Sequence, residues 1–241
     1  MYQIDIPLST LRAVRTHAAV NDIRYYLNGV YFDTLNGRLV GTDGHRCMIA
    51  HLPTIPEPDA ERFIIANSGI DIILKTYDAV GHKANTRTGD VTITITFQRV
   101  TYHDTEHNAT VKKPLEVRFH TPTGEIVLSE LDGTYPDVSR IIPDRVSGEL
   151  SHYNALYIAD AFKAVSILRN ETGKTAKSGN NTPFLAHNGW SYAGVILTND
   201  VLNNPALILI MPMRLPGGVS DSLADVNNGL FQFKPKQAEA A

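Results

Sequence analysis

Two short segments of this 241-residue chain carry side chains that could take part in catalysis. On an extended strand, His103 and His107 would lie on one face and could bind a metal ion for hydrolysis; the alternative is a polar hairpin tip. Gly173-Lys174-Thr175 resembles the end of a phosphate-binding loop, but Leu168 stands where that loop needs its first glycine. The sequence contains no Gly-x-Ser-x-Gly elbow and no Gly-rich dinucleotide fingerprint. We therefore expect a protein that is not an enzyme and has no cofactor and no metal.

The composition is that of a globular protein from a reducing compartment. Lys and Arg number 22 against 25 Asp and Glu, so net charge does not indicate a polyanion binder. The single cysteine, Cys47, excludes an intramolecular disulfide framework. The segment Met1–Pro7 lacks the features of a signal peptide, and no apolar run is long enough to cross a membrane. We expect a cytoplasmic protein without a membrane partner.

Hydrophobic periodicity predicts three helices that would position any functional side chains. The first covers Leu8–Val20 with Ser9 or Thr10 as its cap, and the second runs from Asn67 or Ser68 to about Gly81. The third begins after Asn154. Each helix precedes short β-rich runs, and an α+β fold built from three helix-plus-strand repeats follows. The predicted strands cover residues 25–32, 38–40, 48–52, 91–97, 115–120, 126–128, 192–197 and 206–211, with a further strand at Phe184.

Five separated motifs then give a resemblance to a known family. They lie at residues 22–30, 39–46, 132–137, 140–143 and 210–215, and include Gly44-His45-Arg46 and Met211-Pro212-Met213-Arg214-Leu215. In this order they resemble the sliding clamps of bacterial replication, the beta subunits of DNA polymerase III. The resemblance implies the α+β DNA-clamp fold. It further implies a complete clamp domain at 1–143, similar to the family's middle domain, and a partial one at 144–215, similar to the second half of the last domain. Residues 216–241 are expected to form a flexible tail, which departs from the family's usual end at that leucine.

The resemblance also implies an apolar cleft that captures short peptides from many partners. The implied lining residues are Leu27, Thr42, Gly44, His45, Arg46, Pro136, Arg140, Ile141, Met211, Pro212, Met213, Arg214 and Leu215. Methionines beside a proline would form an adaptable apolar wall, and arginines could bond peptide carbonyls or carboxylates. Each motif alone has a simpler explanation, a hairpin turn for the first and a buried terminal strand for the second. Within the tail, Leu230-Phe231 loosely resembles the end of a clamp-binding peptide, so the tail either occupies such a cleft or has no binding role.

A clamp must also attract DNA without recognising its sequence, which requires basic side chains on the helices. The candidate DNA-facing residues are Arg12, Arg15, Lys75, Lys83, Lys163, Arg169, Lys174 and Lys177. The predicted helices are mildly basic overall, but the same charges would suit ordinary solvated helix faces. The sequence leaves these two possibilities open.

The expected function is that of a non-catalytic replication or repair factor. It would bind clamp-motif peptides of DNA polymerase and other proteins, and would encircle duplex DNA as a processivity factor. The implied partners are duplex DNA, polymerase, a clamp loader and further copies of the chain in a homo-oligomer. The alternative is a clamp-derived adaptor or inhibitor of phage or prophage origin, which binds partner peptides or a host clamp without encircling DNA. Metal-dependent hydrolysis through His103 and His107 is the third hypothesis.

Overall fold

The computed structural model describes residues 1–82, 91–99, 101–104, 109–112, 114–169, 184–198 and 205–213. Its helices are α1 (Leu8–Arg15), α2 (Asn67–Ala79) and α3 (Ala155–Leu168). Its strands are β1 (Tyr2–Pro7), β2 (Gly29–Asp33), β3 (Arg38–Thr42), β4 (Arg46–His51), β5 (Arg62–Ala66), β6 (Thr92–Gln98), β7 (Thr101–Asp104), β8 (Ala109–Lys112), β9 (Glu116–Thr121), β10 (Gly124–Ser129), β11 (Gly194–Leu197) and β12 (Ala206–Ile210). Short 3-10 helices lie at Tyr25–Leu27 and Val138–Ile141. The predicted α+β class is confirmed.

The beginnings of two helices differ from the prediction. Both α1 and α2 follow directly from a strand, at Pro7 and Ala66, and neither of these cap residues makes a side-chain cap hydrogen bond. The strand therefore sets the direction of the helix, and the predicted capping residues lie inside the helices. The predicted beginning of α3 after Asn154 is confirmed, because Asn154 Oδ1 accepts a hydrogen bond from the Leu156 amide at 2.9 Å.

The strands β1 and β5 are not among those predicted from the sequence. Each of them joins the sheet formed by the strands of the other repeat. The four-stranded sheet has the order β1-β6-β9-β10, while β5 joins the other sheet beside β2. Both α1 and α2 are thus preceded by a strand that completes the sheet formed mainly by the other repeat. Ile4 and Ile6 of β1 point into the core opposite Ile95 and Ile93. The first two repeats each consist of a strand, a helix and further strands, whereas α3 of the third repeat follows a loop.

The third repeat extends the sheet of the first. The six-stranded sheet has the order β11-β12-β4-β3-β2-β5, so the hairpin formed by β11 and β12 pairs with β4. On the helical side, α3 packs against α1. Val165 of α3 and Val14 of α1 belong to one buried apolar cluster that also contains Phe32 and Phe119. This junction brings residues from both ends of the sequence together.

Two smaller differences concern the predicted strands. The run predicted as a strand at residues 25–32 is a 3-10 turn followed by β2. Phe184 lies outside the strands and is 88% exposed. In both places the local β propensity does not lead to strand pairing, as is common for short runs.

Candidate functional site

The candidate site forms where β4 meets β12. These antiparallel strands pair Arg46 with Ile210, and beyond the strand end the Met211 amide donates to the His45 carbonyl at 2.8 Å. The turn that joins β3 to β4, residues Thr42–Arg46, therefore lies beside the segment that follows β12. Two motifs more than 150 residues apart in sequence share one edge of the molecule.

Local hydrogen bonds hold this turn in shape. The Thr42 hydroxyl donates to the Arg46 carbonyl at 2.6 Å and accepts from the Gly44 amide at 3.1 Å. Asp43 Oδ1 accepts from the amides of His45 and Arg46 at 2.8 and 3.0 Å. Gly44 has a φ of +90°, which favours glycine. The turn is a preformed wall, with His45 exposed at its tip.

A third segment closes the cleft from the other side. Tyr135 is buried and stacks on Tyr31 with a centroid distance of 4.6 Å, which fixes the start of this loop on the six-stranded sheet. The side chain of Asp137 then accepts from the Ser139 amide at 3.1 Å and begins the second 3-10 helix. As a result, Pro136 and Ile141 face the turn and the strand.

These three segments enclose an apolar cleft of about 240 Å³. Eight of the predicted residues line it: Leu27, Thr42, Gly44, His45, Arg46, Pro136, Ile141 and Met211. Six residues outside the predicted set also line it: Arg24, Tyr26, Cys47, Asp137, Val138 and Leu209. Most of this surface is apolar, so it suits aliphatic and aromatic anchors of a ligand.

The structure does not bring every predicted residue into the cleft. Arg140 extends into solvent with its Nε 3.6 Å from an Asp137 carboxylate oxygen. Pro212 and Met213 come directly after Met211 in the chain but do not line the cleft. The Met213 amide donates to the His152 carbonyl at 2.7 Å. Arg214 and Leu215 lie outside the described residues.

Arg46 joins the cleft to α3, a role that differs from the expected bond to a peptide. Its Nε donates to Asp43 at 3.0 Å, its Nη1 to Asp160 on α3, and its Nη2 to the Thr16 carbonyl at 3.3 Å. The guanidinium also lies 5.0 Å from the ring centroid of Tyr157, on which His45 stacks in turn. The guanidinium is therefore bound to groups within the protein, and it links the turn to α3 of the third repeat.

Burial keeps the groups around the cleft floor neutral. It raises the pKa of the Cys47 thiol to about 12, against a weaker opposing effect of a hydrogen bond with Thr42. Burial likewise raises the pKa of the Tyr135 hydroxyl well above its ordinary value. Under the turn, burial and the nearby Arg46 lower the pKa of His17 to about 4. These three groups are therefore neutral at neutral pH, and of them Cys47 lines the cleft and offers it an apolar surface.

The arginines of α1 are engaged differently from what the sequence suggested. Arg12 forms an ion pair with Asp78 at 2.7 Å, and Arg15 forms one with Asp71 at 2.9 Å. Their side chains are only 13% and 16% exposed. Carboxylates of α2 therefore neutralise both arginines, while a DNA-facing role for them stays a prediction. Their pairing links the two helices.

The remaining candidate DNA-facing residues are dispersed. Lys75 on α2 and Lys163 on α3 are exposed, and Arg169 lies partly buried at the end of α3. Lys83, Lys174 and Lys177 lie outside the described residues. A DNA-facing role for any of these side chains stays a prediction.

The residues considered for catalysis give little geometry. His103 lies in β7, opposite Thr110 of β8, while His107 and Gly173-Lys174-Thr175 fall outside the described residues. Within the described part of the chain, no group of three or more His, Cys, Asp or Glu side chains could hold a metal ion. No described helix is long and apolar enough to cross a membrane.

Comparison with curated proteins finds relatives of one kind. The chain is 24% identical over 179 residues to the beta sliding clamp of Haemophilus influenzae, covering 72% of this chain and 42% of the relative. It is 27% identical over 165 residues to the Caulobacter vibrioides beta sliding clamp, covering 66% and 38%. The chain therefore spans less than half the length of these relatives. No family model matches the sequence.

Comparison with solved structures identifies the fold. The DNA polymerase sliding clamp of Pseudomonas aeruginosa superposes with a TM-score of 0.57 at 19% identity, covering 88% of this chain and 66% of that one. The Caulobacter crescentus beta sliding clamp gives a TM-score of 0.57 at 16% identity, covering 89% and 66%. The architecture of strand-helix repeats described above is thus the DNA-clamp fold.

Proposed function

We propose that this chain, a member of the beta sliding clamp family, is a non-catalytic replication or repair factor that binds clamp-motif peptides of polymerases and other partners in its apolar cleft. One observation carries the proposal: the Thr42–Arg46 turn and the Met211 segment meet around an apolar cleft. A partner peptide would insert its apolar side chains there.

The chemistry of the cleft supports peptide capture. The floor consists of neutral, buried side chains such as Leu209 and Cys47. The hydrophobic effect therefore favours the binding of an apolar anchor there. Met211 supplies an adaptable thioether that can pack against different anchors. Tyr26 and Thr42 add polar groups at the margin of the same cleft. Such a site suits many partners that share a short motif.

We further propose that several copies of the chain close around duplex DNA, as a processivity factor requires. The clamp fold and the exposed Lys75 and Lys163 support this proposal. A closed ring would hold a polymerase near its template and raise its effective concentration there. A clamp loader would then be a further partner. In this arrangement residues 1–143 form the complete domain and 144–215 the partial one.

A second candidate function is favoured by the ion pairs on α1. Because Asp78 and Asp71 neutralise Arg12 and Arg15, this helix offers little charge to phosphates. An adaptor or inhibitor derived from a clamp, which binds partner peptides without encircling DNA, would need no such charge. It would keep the cleft and lose the basic lining.

Peptide affinity tests the first proposal. Fluorescence polarisation would follow a labelled Gln-Leu-Ser-Leu-Phe peptide titrated with the protein and with Ile141→Glu. Ile141 is 37% exposed at the cleft, so a charge there should weaken binding at least tenfold with little effect on folding. Val127→Glu is the matched control, because Val127 is 46% exposed on β10 of the other sheet. Equal affinity of both variants for the peptide would rule out the cleft as the binding site.

Retention on DNA separates the two candidate functions. A ring of several copies should remain on nicked circular DNA and slide off the linearised form, and light scattering should give a multiple of the 26.5 kDa chain mass. An adaptor should bind peptide while showing no difference between circular and linear DNA.

A further inference from the structure

We propose that the segment around Leu230 and Phe231 binds in the chain's own apolar cleft and competes there with partner peptides. The inference rests on the proposed peptide-binding role of the cleft. The bound segment would limit the access of partner peptides to the cleft.

The first argument is where the described chain stops. Ile210 pairs with Arg46, the Met211 amide bonds to His45, and the Met213 amide bonds to the His152 carbonyl at 2.7 Å. The backbone is therefore fixed from Met211, which lines the cleft, to Met213. The described chain stops two residues after the cleft lining.

The second argument is the chemistry of that segment. Between 216 and 241, Leu230, Phe231 and Phe233 form the densest group of large apolar residues, whereas Val219, Leu223 and Val226 each stand between small or polar residues. An aliphatic side chain next to an aromatic one is a suitable anchor for an apolar cleft of about 240 Å³. Polar residues on both sides would keep the rest of the segment in water.

The segment is long enough for Leu230 to return to the cleft. The roughly 17 residues from Met213 to Leu230 span at most about 55 to 60 Å when extended and average about 20 to 25 Å as a flexible chain. The cleft is adjacent to the starting point, so the segment can return to it without strain. Tethering of this kind gives an effective concentration on the order of 1 mM.

The expected effect on partners follows from competition. A segment with an intrinsic Kd of about 0.1 to 1 mM, held at about 1 mM, would weaken binding of a partner peptide roughly two- to tenfold. Partners with strong motifs would displace the segment, and weak ones would be excluded. The contact would act as a threshold for access to the cleft.

The test compares the full chain with Leu230→Ser/Phe231→Ser, using Val219→Ser/Leu223→Ser as the matched control. Methyl-labelled methionine gives four NMR probes, one for each methionine of the chain. Of these, Met211 lines the cleft, and Met1 directly precedes β1. We expect the Met211 signal to move in the first variant and not in the control, with Met1 unchanged in both.

Affinity for the labelled peptide provides the second readout. The first variant should bind it two- to tenfold more tightly than the unmodified chain, and the control should bind it equally. An unmoved Met211 signal with unchanged affinity overturns the inference. A shifted signal in a protein that binds no partner peptide supports the tail contact and counts against the proposed function. A unit twice the chain mass that dissociates in the variant would assign the segment to a neighbouring copy and overturn the assignment to its own cleft.

Discussion

The guanidinium of Arg46 is the perturbation with the clearest structural consequence. It bonds to Asp43, Asp160 and the Thr16 carbonyl, and it lies over the Tyr157 ring. Substitution of Arg46→Met keeps an apolar stem in this place but removes the charge and all three hydrogen bonds. We expect the first and third repeats to separate more easily.

The magnitude follows from burial. Arg46 is only 12% exposed, so its hydrogen bonds to charged groups are worth about 1.5 to 3 kcal/mol. The contact with the aromatic ring adds about 0.5 to 1 kcal/mol. Asp160 is 41% exposed, so water would rehydrate it in the variant and reduce the loss. The free energy of unfolding should fall by about 2 to 3 kcal/mol.

Urea unfolding of the full chain measures this loss. With an m value of about 2 to 3 kcal/mol/M, the midpoint should fall by about 1 M. Arg38→Met is the matched control, because Arg38 donates only an exposed hydrogen bond to the Ser139 hydroxyl at 2.9 Å and its loss should cost less than about 0.5 kcal/mol. A double-mutant cycle with Asp160→Asn should give a coupling of about 1 kcal/mol. If Arg46→Met costs no more than the control, the role assigned to Arg46 is wrong.

Three further outcomes are expected. Burial would raise the pKa of Glu130, but hydrogen bonds including that from Arg99 outweigh it and lower the pKa. Stability from this pair should be lost as pH falls through that lowered value, and Glu130→Gln should remove this contribution to the acid dependence of the unfolding curves. Burial lowers the pKa of His17 to about 4, so the free energy of unfolding should fall between about pH 6.5 and 4, by at most about 1.4 kcal/mol per pH unit. This slope should vanish in His17→Leu, and its persistence would exclude His17 as the cause. Gly44→Ala should destabilise the chain by about 1 kcal/mol in the same assay and weaken peptide binding, because the new Cβ would lie 2.8 Å from the Arg24 guanidinium and φ is +90°; unchanged binding would show that the turn can adjust.

Local signals predicted most helices and many strands of this fold. The apolar spacing in α3 and its Asn154 cap depend on neighbouring residues, so the sequence contains them. The alternation of Ile4 and Ile6 in β1 was also present, but the strand is short and a helix follows it at once. Its pairing with β6 joins residues about 90 positions apart, which one sequence does not reveal.

The cleft shows the same division between local and tertiary information. The motifs containing Leu27 and Met211 were predicted from the family resemblance, and the structure brings both into one cleft. Leu209 was read as a strand residue only, because nothing local distinguishes the end of β12 that faces the cleft. The ion pair between Arg12 and Asp78 joins two helices 66 positions apart in sequence, so one sequence does not reveal it.

Photo-crosslinking with a clamp-motif peptide would show where on the chain such a peptide binds. The peptide would carry a benzophenone-bearing residue at its last position, and mass spectrometry would locate the attachment site on the full chain. We expect attachment to cleft residues, above all Met211 or Tyr26, and loss of attachment when an unlabelled peptide competes. Attachment to α2 or β10, with the cleft residues unlabelled, would contradict this expectation.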